Sequence, residues 1–592
     1  MVSIDVETSL IAPGLLAPPL ACVSIAGLSR LGVLDAKAGV QASQRLLLAD
    51  SIVGHNIAYD LSVLISSGVE QALVFRALDE GRVLDTMLAD QLLAIARGDF
   101  DQHRYRLADL VKRRLGMDLE KGEVRTSFGK LRHQPIESWP VEAIRYSKAD
   151  ALATLKVRES IDAERHAERW GDLLADEPAQ VRAAFGLQLT SAWGLRTDPV
   201  AVAALKADLL KQKEAQDSKL FKMGVLRADG TKDTKALQRL VEEAYASTGQ
   251  EVPRTEKGAV QTSRDTLLRS GDDVLMDIAE GGKAAKFLST YIPWLELGTT
   301  TPINARYVSL VSTGRTSSRE PNIQNQPKRG GIRECFIPRP GYVFVDADYS
   351  TLELRAWAQA QLDLLGESEM AAALWAEYEG GGPDLHTLLA AEIYDLDPSV
   401  LFARVKAGDK EADDMRKLAK AGNFGLPGGM GVDNFINFAR AAYKVSLDPE
   451  RATTIKTAWL KRWKAQDFFR TMKSMQDPIE QLIDIRLKRS QRVHGRKRFT
   501  EACNLTFQGP SADGAKLAVY ETQKRTRLAK DSALYGSRVV AFIHDELLLE
   551  IPKDRGQAAA KELEEIMIKA MQIHIPDVPI TVDAGVVEKW GQ

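Results

Sequence analysis

The stretch VVAFIHDELLLEIP, Val539 to Pro552, sets two apolar runs, each long enough for a buried strand, around His544, Asp545 and Glu546. Adjacent carboxylates between such strands repel each other and lose solvation, a cost that a bound divalent cation would offset. A solvated hairpin turn is the plainer alternative, because Asp is common in turns. The pattern therefore asks for a β-hairpin whose tip faces either water or a cation, and the remaining sequence has to decide between them.

At 592 residues the chain exceeds what one hydrophobic core supports, so several domains are expected. Its 44% hydrophobic and 27% charged content places it among ordinary soluble globular proteins. No apolar run is long enough to span a bilayer, and the start MVSIDVETS has no basic leader region. Cys22, Cys335 and Cys503 are too few and too widely spaced for a disulfide framework or a zinc site, which points to a reducing cytoplasm. A formal net charge of −2 does not exclude nucleic acid, since phosphate contacts depend on local clusters of Lys and Arg. One such cluster, RLKRSQRVHGRKRF from Arg486 to Phe499, reads equally as a nucleic-acid contact or a solvated basic face.

The first part of the chain, to about Leu155, alternates short β-like runs (VSIDV, LACVSIAG, SIVGHN) with helical segments, an α/β pattern. In SIDVETS, Asp5 and Glu7 stand two apart on a strand and share a face, while Ile4 and Val6 point into a core. Asn56 and Asp60 in GHNIAYDL, and Tyr146 and Asp150 in YSKADALATL, are each four apart, on one helix face. Together these segments resemble the three motifs of the tyrosine-containing subclass of the DEDD exonuclease superfamily, over about the first 160 residues. The resemblance implies that Asp5, Glu7, Asp60 and Asp150 hold two divalent metals and that Tyr146 orients the attacking water. Two such ions about 3.5–4 Å apart suit phosphodiester hydrolysis, and oxygen ligands favour Mg²⁺ or Mn²⁺. Asp5 lies so close to the N-terminus that its strand has few residues to anchor it, and a frayed start would weaken metal binding.

The hairpin finds candidate partners further upstream. In VFVDADYSTLELRAW, Asp346 and Asp348 alternate onto one face of a strand, and in MRKLAKAGNF, Arg416, Lys420 and Phe424 form one stripe of a helix. Two cations a turn apart suit a polyphosphate, and the aromatic ring beyond them offers a face for a base. DADYSTLELR, RKLAKAGNFG and HDE resemble motifs A, B and C of family A DNA polymerases. Supporting segments occur in family order: PRTEKGAVQTS, TGRTSSREPNIQNQP, DLHTLLAAEIY and NLTFQGPSADGAK. The likeness runs from about Pro253 to the C-terminus. It implies that Asp348 and Asp545 hold two metals, with Glu546 beside them. Arg416, Lys420 and His386 grip the incoming triphosphate, and Lys420 also serves catalysis. Phe424 stacks on the base, Tyr349 lies at the nucleotide site, and Glu353 crowds out a 2′-hydroxyl beneath the sugar. Arg315, Asn504, Gln508 and His544 track primer and template.

The fold class expected is multidomain α/β, an RNase H-like exonuclease followed by a right-hand polymerase. The expected boundaries are 1–160 for the exonuclease, 161–300 for connecting helices and thumb, 301–365 and 501–592 for the palm, and 366–500 for the fingers. Three positions depart from the bacterial pattern: Gly428 where a Tyr is common, Thr351 for Gln and Thr500 for Arg, so selectivity is expected to lean on the exonuclease. Phe424 in place of the Tyr of some phage relatives predicts poor use of dideoxynucleotides. The bacterial 5′-nuclease domain is expected to be missing, and the compact build resembles a phage replicase acting as a monomer on primer–template DNA and deoxynucleoside triphosphates. Alternatives are an exonuclease whose polymerase half only holds DNA, and a catalytically silent DNA-binding replisome component.

Overall fold

The computed structural model describes every residue except 15, 28–29, 120–122, 248, 256 and 592, and leaves out the side chains of 30, 123 and 125. Glu256, inside the PRTEKGAVQTS segment, thus lies outside the described residues. The chain divides into two compact units: Met1–Gly194 with Asn304–Asn325 and Gly341–Val587, and Leu195–Ile303 with Gln326–Pro340 and Glu588–Gln592.

The first unit begins with a five-stranded sheet of β1 (Val2–Thr8), β2 (Leu20–Gly27), β3 (Arg30–Asp35), β4 (Ile52–Gly54) and β5 (Val83–Asp85), in the order β3-β2-β1-β4-β5. β1 is central, antiparallel to β2 and parallel to β4. This anchors the terminal strand: both edges of β1 are hydrogen-bonded, and the Val2 amide donates to the Ser51 carbonyl at 2.9 Å. Ile4 and Val6 are buried as their alternation demands. Helices α1 (Ile57–Ser66), α2 (Thr86–Arg97) and α3 (Val141–Ala163) cover the sheet, with Val23, Ile57, Leu61, Phe75 and Leu88 in its core. The buried Asp85 carboxylate accepts from the amides of Asn56, Ile57, Met87 and Leu88 at 2.8–3.3 Å, joining the starts of α1 and α2.

Helix α4 (Glu177–Trp193) leads on to a second core. Its elements are β6 (Tyr342–Tyr349), α5 (Leu352–Leu365), α6 (Leu385–Tyr394), α7 (Lys410–Gly425), α8 (Phe499–Leu528), β7 (Arg538–Ile543), β8 (Glu546–Pro552) and β9 (Val582–Val587). The four strands form an antiparallel sheet in the order β7-β8-β6-β9. Val343, Val345, Ala347, Leu547, Leu549 and Ile551 fill the core behind it, so the apolar runs flanking His544 are the buried hairpin their composition requires. Helix α7 buries Ala412, Leu418, Ala419 and Ala421 and leaves Lys420 exposed, the amphipathic arrangement read from its spacing.

The basic cluster from Arg486 to Phe499 is a clasp within this unit. Arg486 donates to the carbonyls of Trp170 and Asp172, Lys488 and Arg489 to Asp363, and Arg498 to Glu501. Arg492 is buried and bonds Asp176 at 2.6 Å and both oxygens of Asp513 at 3.0 Å. A Cβ on Gly495 would lie 2.1 Å from the Ala96 carbonyl oxygen of α2, so only glycine allows this approach. These arginines mostly hold protein to protein, which neither reading of the cluster foresaw.

The second unit is helical, with Pro199–Lys222, Thr234–Ser247 and Asp273–Thr290 around Leu220, Val241, Leu267 and Leu275. Among the described residues no helix is long and apolar enough to cross a membrane. The three cysteines are buried and free.

Candidate active sites

β1 and α3 bring Asp5, Glu7 and Asp150 together, each with a carboxylate oxygen within 4.8 Å of the others. Burial holds Asp5 well above the usual carboxylate range, and the charges of Glu7, Asp60 and Asp150 raise it further. An oxygen-only set of converging like charges is what a hard divalent cation neutralises, so these residues fit Mg²⁺ or Mn²⁺. The fourth expected ligand, Asp60, is not among the converging three. Its Oδ1 accepts from the Val6 amide at 3.0 Å, and burial pushes its carboxyl up to about 8. Tyr146 lies one turn before Asp150 on α3, its ring 6.0 Å from that of Phe128. The sequence reading missed Tyr59, whose hydroxyl shares a 2.9 Å hydrogen bond with Thr8 Oγ1 beside these acids; its place next to Asp60 was the available signal.

On the second sheet, Asp348 of β6 stands opposite Glu546 of β8 and opposite Asp583 of β9. Directly opposed residues of antiparallel strands share a face, so three carboxylates cross the sheet in one row. Asp583, missed at the sequence level, accepts from the Ser350 hydroxyl at 2.8 Å. His544 turns the β7–β8 hairpin in the left-handed region (φ 59°) and is exposed. Burial pushes the next residue, Asp545, up to about 7, with the carboxylates of Asp348 and Glu353 adding to it. Here too the donor chemistry fits a divalent cation. Tyr349 is a correction. Strand parity turns its ring away from Asp348 into the core, where its hydroxyl donates to the Met567 carbonyl at 2.7 Å, so it supports the fold and does not present itself to a nucleotide.

Two ion pairs join expected site residues. Arg416 donates through Nε to Asp384 at 3.0 Å, and Asp384 also caps α6 by accepting from the amides of His386 and Thr387. Arg315 pairs with Glu353. The His386 and Phe424 rings are 5.5 Å apart, and the Lys420 ammonium lies 6.0 Å from the Phe424 ring. Asn504 and Gln508 are one turn apart on α8. The Asn504 amide donates to the Thr500 carbonyl and lies where a Cβ on Gly428 would be, 2.4 Å from Oδ1. Asn504 thus fills the space beside Gly428.

The sequence pattern of DNA polymerase family A matches residues 204–592, and that of a 3′-5′ exonuclease matches residues 26–164. The chain belongs to DNA polymerase family A. It is a DNA-directed DNA polymerase of the bacterial DNA polymerase I kind, with a 3′-5′ exonuclease domain ahead of its polymerase domain. The exonuclease match starts beyond β1, so Asp5 and Glu7 are assigned by their convergence with Asp150 and by resemblance. DNA polymerase I of Aquifex aeolicus is 26% identical over 93% of this chain and 90% of its own. The thermostable DNA polymerase I of Thermus filiformis is 28% identical over 67% of this chain, and DNA polymerase I of Chloroflexus aurantiacus is 25% identical over 91%. The chain spans about half the length of these last two, 46% and 54%. The POL domain of Pol1 from M. smegmatis, solved in complex with DNA primer-template and dNTP, shares the fold with a TM-score of 0.71 at 20% identity, covering 100% of this chain and 95% of that one.

Proposed function

We propose that this family A polymerase extends primer–template DNA with deoxynucleoside triphosphates at the Asp348–Asp545 site and removes mispaired 3′ ends at the Asp5–Glu7–Asp150 site. The observation that carries the reading is the presence of two carboxylate sites, each built from like charges that favour a cation. Family A polymerases and 3′-5′ exonuclease domains are generally divalent-metal dependent. Mg²⁺, two ions per site, is the finer proposal, with Asp348 and Asp545 as ligands in one site and Asp5, Glu7 and Asp150, assisted by Asp60, in the other. When bound, the ions would supply a lowered pKa for the attacking oxygen and neutralisation of the charge on the phosphoryl group.

The protein's own groups do the rest. Asp384 holds Arg416 by Nε, leaving its terminal nitrogens to donate to phosphate oxygens, and Lys420 adds a second charge one turn on. His386 donates a third hydrogen bond. Phe424 offers its face to the incoming base. Glu353 is poised beneath the sugar, and Arg315, its partner in this structure, would exchange that carboxylate for the primer terminus. Asn504 and Gln508 follow the template on one face of α8, with His544 at the primer. Tyr146 orients the hydrolytic water at the other site. The proposed domains are 1–160 exonuclease, 161–300 connector and thumb, 301–365 with 501–592 palm, and 366–500 fingers. The finer proposals of a phage-type replicase, a monomer and a cytoplasmic location rest on the sequence.

An end-labelled primer–template with a mismatched 3′ end, incubated with Mg²⁺, tests the reading. Shortening without nucleotides and full extension with all four supports it. Shortening with no extension would leave an exonuclease with an idle polymerase fold, and binding with neither would leave a silent DNA-binding protein.

A further inference from the structure

His386 is the only imidazole in the proposed triphosphate grip, and the surroundings of its ring determine what it can donate. Asn423 on α7 is fully buried and makes three hydrogen bonds: its Nδ2 donates to the Leu385 carbonyl at 3.0 Å and to His386 Nδ1 at 3.0 Å, and its Oδ1 accepts from the Trp463 indole N–H at 2.9 Å. An indole nitrogen can only donate and a carbonyl can only accept, so these two partners leave the Asn423 amide one orientation. That orientation presents N–H to His386 Nδ1, which must therefore be the unprotonated nitrogen. Trp463, 0% exposed, is itself held by its carbonyl, which accepts from Gln361 at 3.0 Å.

We infer that Asn423 and Trp463 are positioning residues that fix His386 as a neutral Nε2–H tautomer, so that it meets the incoming triphosphate as a hydrogen-bond donor and never as a cation. The inference rests on the nucleotide-gripping reading of His386. With Nδ1 committed inside the protein, Nε2 is the nitrogen left to donate outward. A second proton would have to sit on Nδ1, facing an amide N–H that cannot turn away without exposing its oxygen to Leu385 and its NH₂ to Trp463. The charged groups around the ring act in the same direction on balance: burial lowers its basicity most, Arg416 and Lys420 lower it further, and Asp384 alone opposes them, leaving it at about 4. Two cations already face the phosphates from α7. A neutral third donor adds reach without adding a charge whose presence would vary with pH.

Nitrogen-15 NMR of the ring in the full chain tests the lock. The expected result is a single Nε2–H tautomer from about pH 5.5 to about pH 8.5. Titration of His386 near its unperturbed pKa, or an Nδ1–H signal, would overturn the proposal. In Asn423→Asp the amide N–H is replaced by a carboxylate acceptor, so His386 is expected to titrate within that range. The KM for deoxynucleotide, taken as a ratio to wild type at each pH, should then fall on the order of tenfold from about pH 8 to about pH 6, with kcat changing less. A ratio that does not vary with pH would count against the lock. Trp463→Phe, which removes the indole N–H together with part of a buried ring, is the second variant should Asn423→Asp fold poorly. It leaves the Leu385 carbonyl alone to orient the amide, and a minor Nδ1–H tautomer is expected beside the Nε2–H one; an unchanged Nε2–H signal would overturn the role of Trp463. Adding a deoxynucleoside triphosphate to wild type should shift the Nε2 resonance. A correct tautomer with no such shift would overturn the gripping role of His386 while leaving the lock intact.

Discussion

The two carboxylate sites sit in one compact unit and are built in opposite ways. The exonuclease site draws its acids onto a central strand and one helix so that three oxygens converge within 4.8 Å, and the strain of like charges is concentrated at Asp5. The proposed polymerase site spreads Asp348, Glu546 and Asp583 across three strands, and two of its expected binding cations are paired, Arg315 with Glu353 and Arg416 with Asp384. The first site is assembled before any substrate arrives. In the second, Asp384 holds Arg416 through Nε and Glu353 holds Arg315, so that on the proposed function Arg416 keeps its partner and Arg315 exchanges its own for DNA. Primer binding there would exchange one partner for another, which favours selectivity over raw affinity.

The largest test of this contrast separates the sites completely. Asp5→Ala with Glu7→Ala should reduce excision by about a thousandfold or more and leave single-nucleotide extension within about twofold, while Asp545→Ala should do the reverse. Chelating the divalent metal should abolish both. Cross-talk, with loss of extension in the Asp5/Glu7 variant, would show that the sites are not independently built. Error rates measured in the same variant address selectivity, and they should rise if mispair rejection leans on excision.

The clasp offers the next largest effect. Arg492→Ala leaves Asp176 buried without its cation and Asp513 with Lys516 alone, and should cost about 3–5 kcal/mol in denaturant unfolding; Gly495→Ala drives a Cβ against the Ala96 carbonyl and should cost about 1–3 kcal/mol. If excision falls with Gly495→Ala while extension holds, the exonuclease site depends on the clasp and the polymerase site does not.

Protonation of His386 gives a smaller effect confined to the polymerase site. Its folded pKa, about 4, lies below the unfolded value of 6.5, so its contribution to stability is fully present above about pH 6.5 and is lost as pH falls through about 4. Unfolding free energies from urea titrations at about pH 7 and about pH 5 should differ by about 2 kcal/mol more in wild type than in His386→Gln. Equal pH slopes would remove His386 from the account. The smallest effect belongs to Gly428→Ala, which has to displace the end of the Asn504 side chain and should change mispair insertion only a few-fold, at a stability cost under about 1 kcal/mol. No change in misinsertion would mean Asn504 does not monitor the pair.

How far the sequence revealed this structure depended on the distance over which each feature is built. The strand alternation of IDVET and VFVDADY, the stripe of α7 and the apolar hairpin are local, and they formed as their periodicity requires. Tyr349 was legible as well: once Asp346 and Asp348 face outward, the odd positions face in, and parity should have outweighed its place beside a motif. What could not be read were contacts between distant polar residues. Arg416 meets Asp384 across 32 positions, Trp463 meets Asn423 across 40, and Arg492 meets Asp176 across 316. Buried polar partners have the composition of a surface, so the Arg486–Phe499 cluster looked like one. Only the fold shows which charges face each other.

Because the clasp seats Gly495 on Ala96 of α2 by a backbone approach that admits no side chain, and ties Asp176 to Asp513 of α8 through the buried Arg492, the proposed exonuclease site has no easy way to swing toward a stalled primer. The strand has to make the journey instead. A terminal base must come unpaired and cross to Asp5 and Asp150, and the opening of the duplex end becomes the clock for editing. The expectation is that excision of matched ends follows their melting tendency, faster at A·T than at G·C termini, and single-turnover rates on a series of primer ends measure it directly. In this arrangement the discrimination exercised before hydrolysis belongs partly to the DNA: the enzyme supplies a fixed destination, and the mispair, being the end that opens most readily, selects itself.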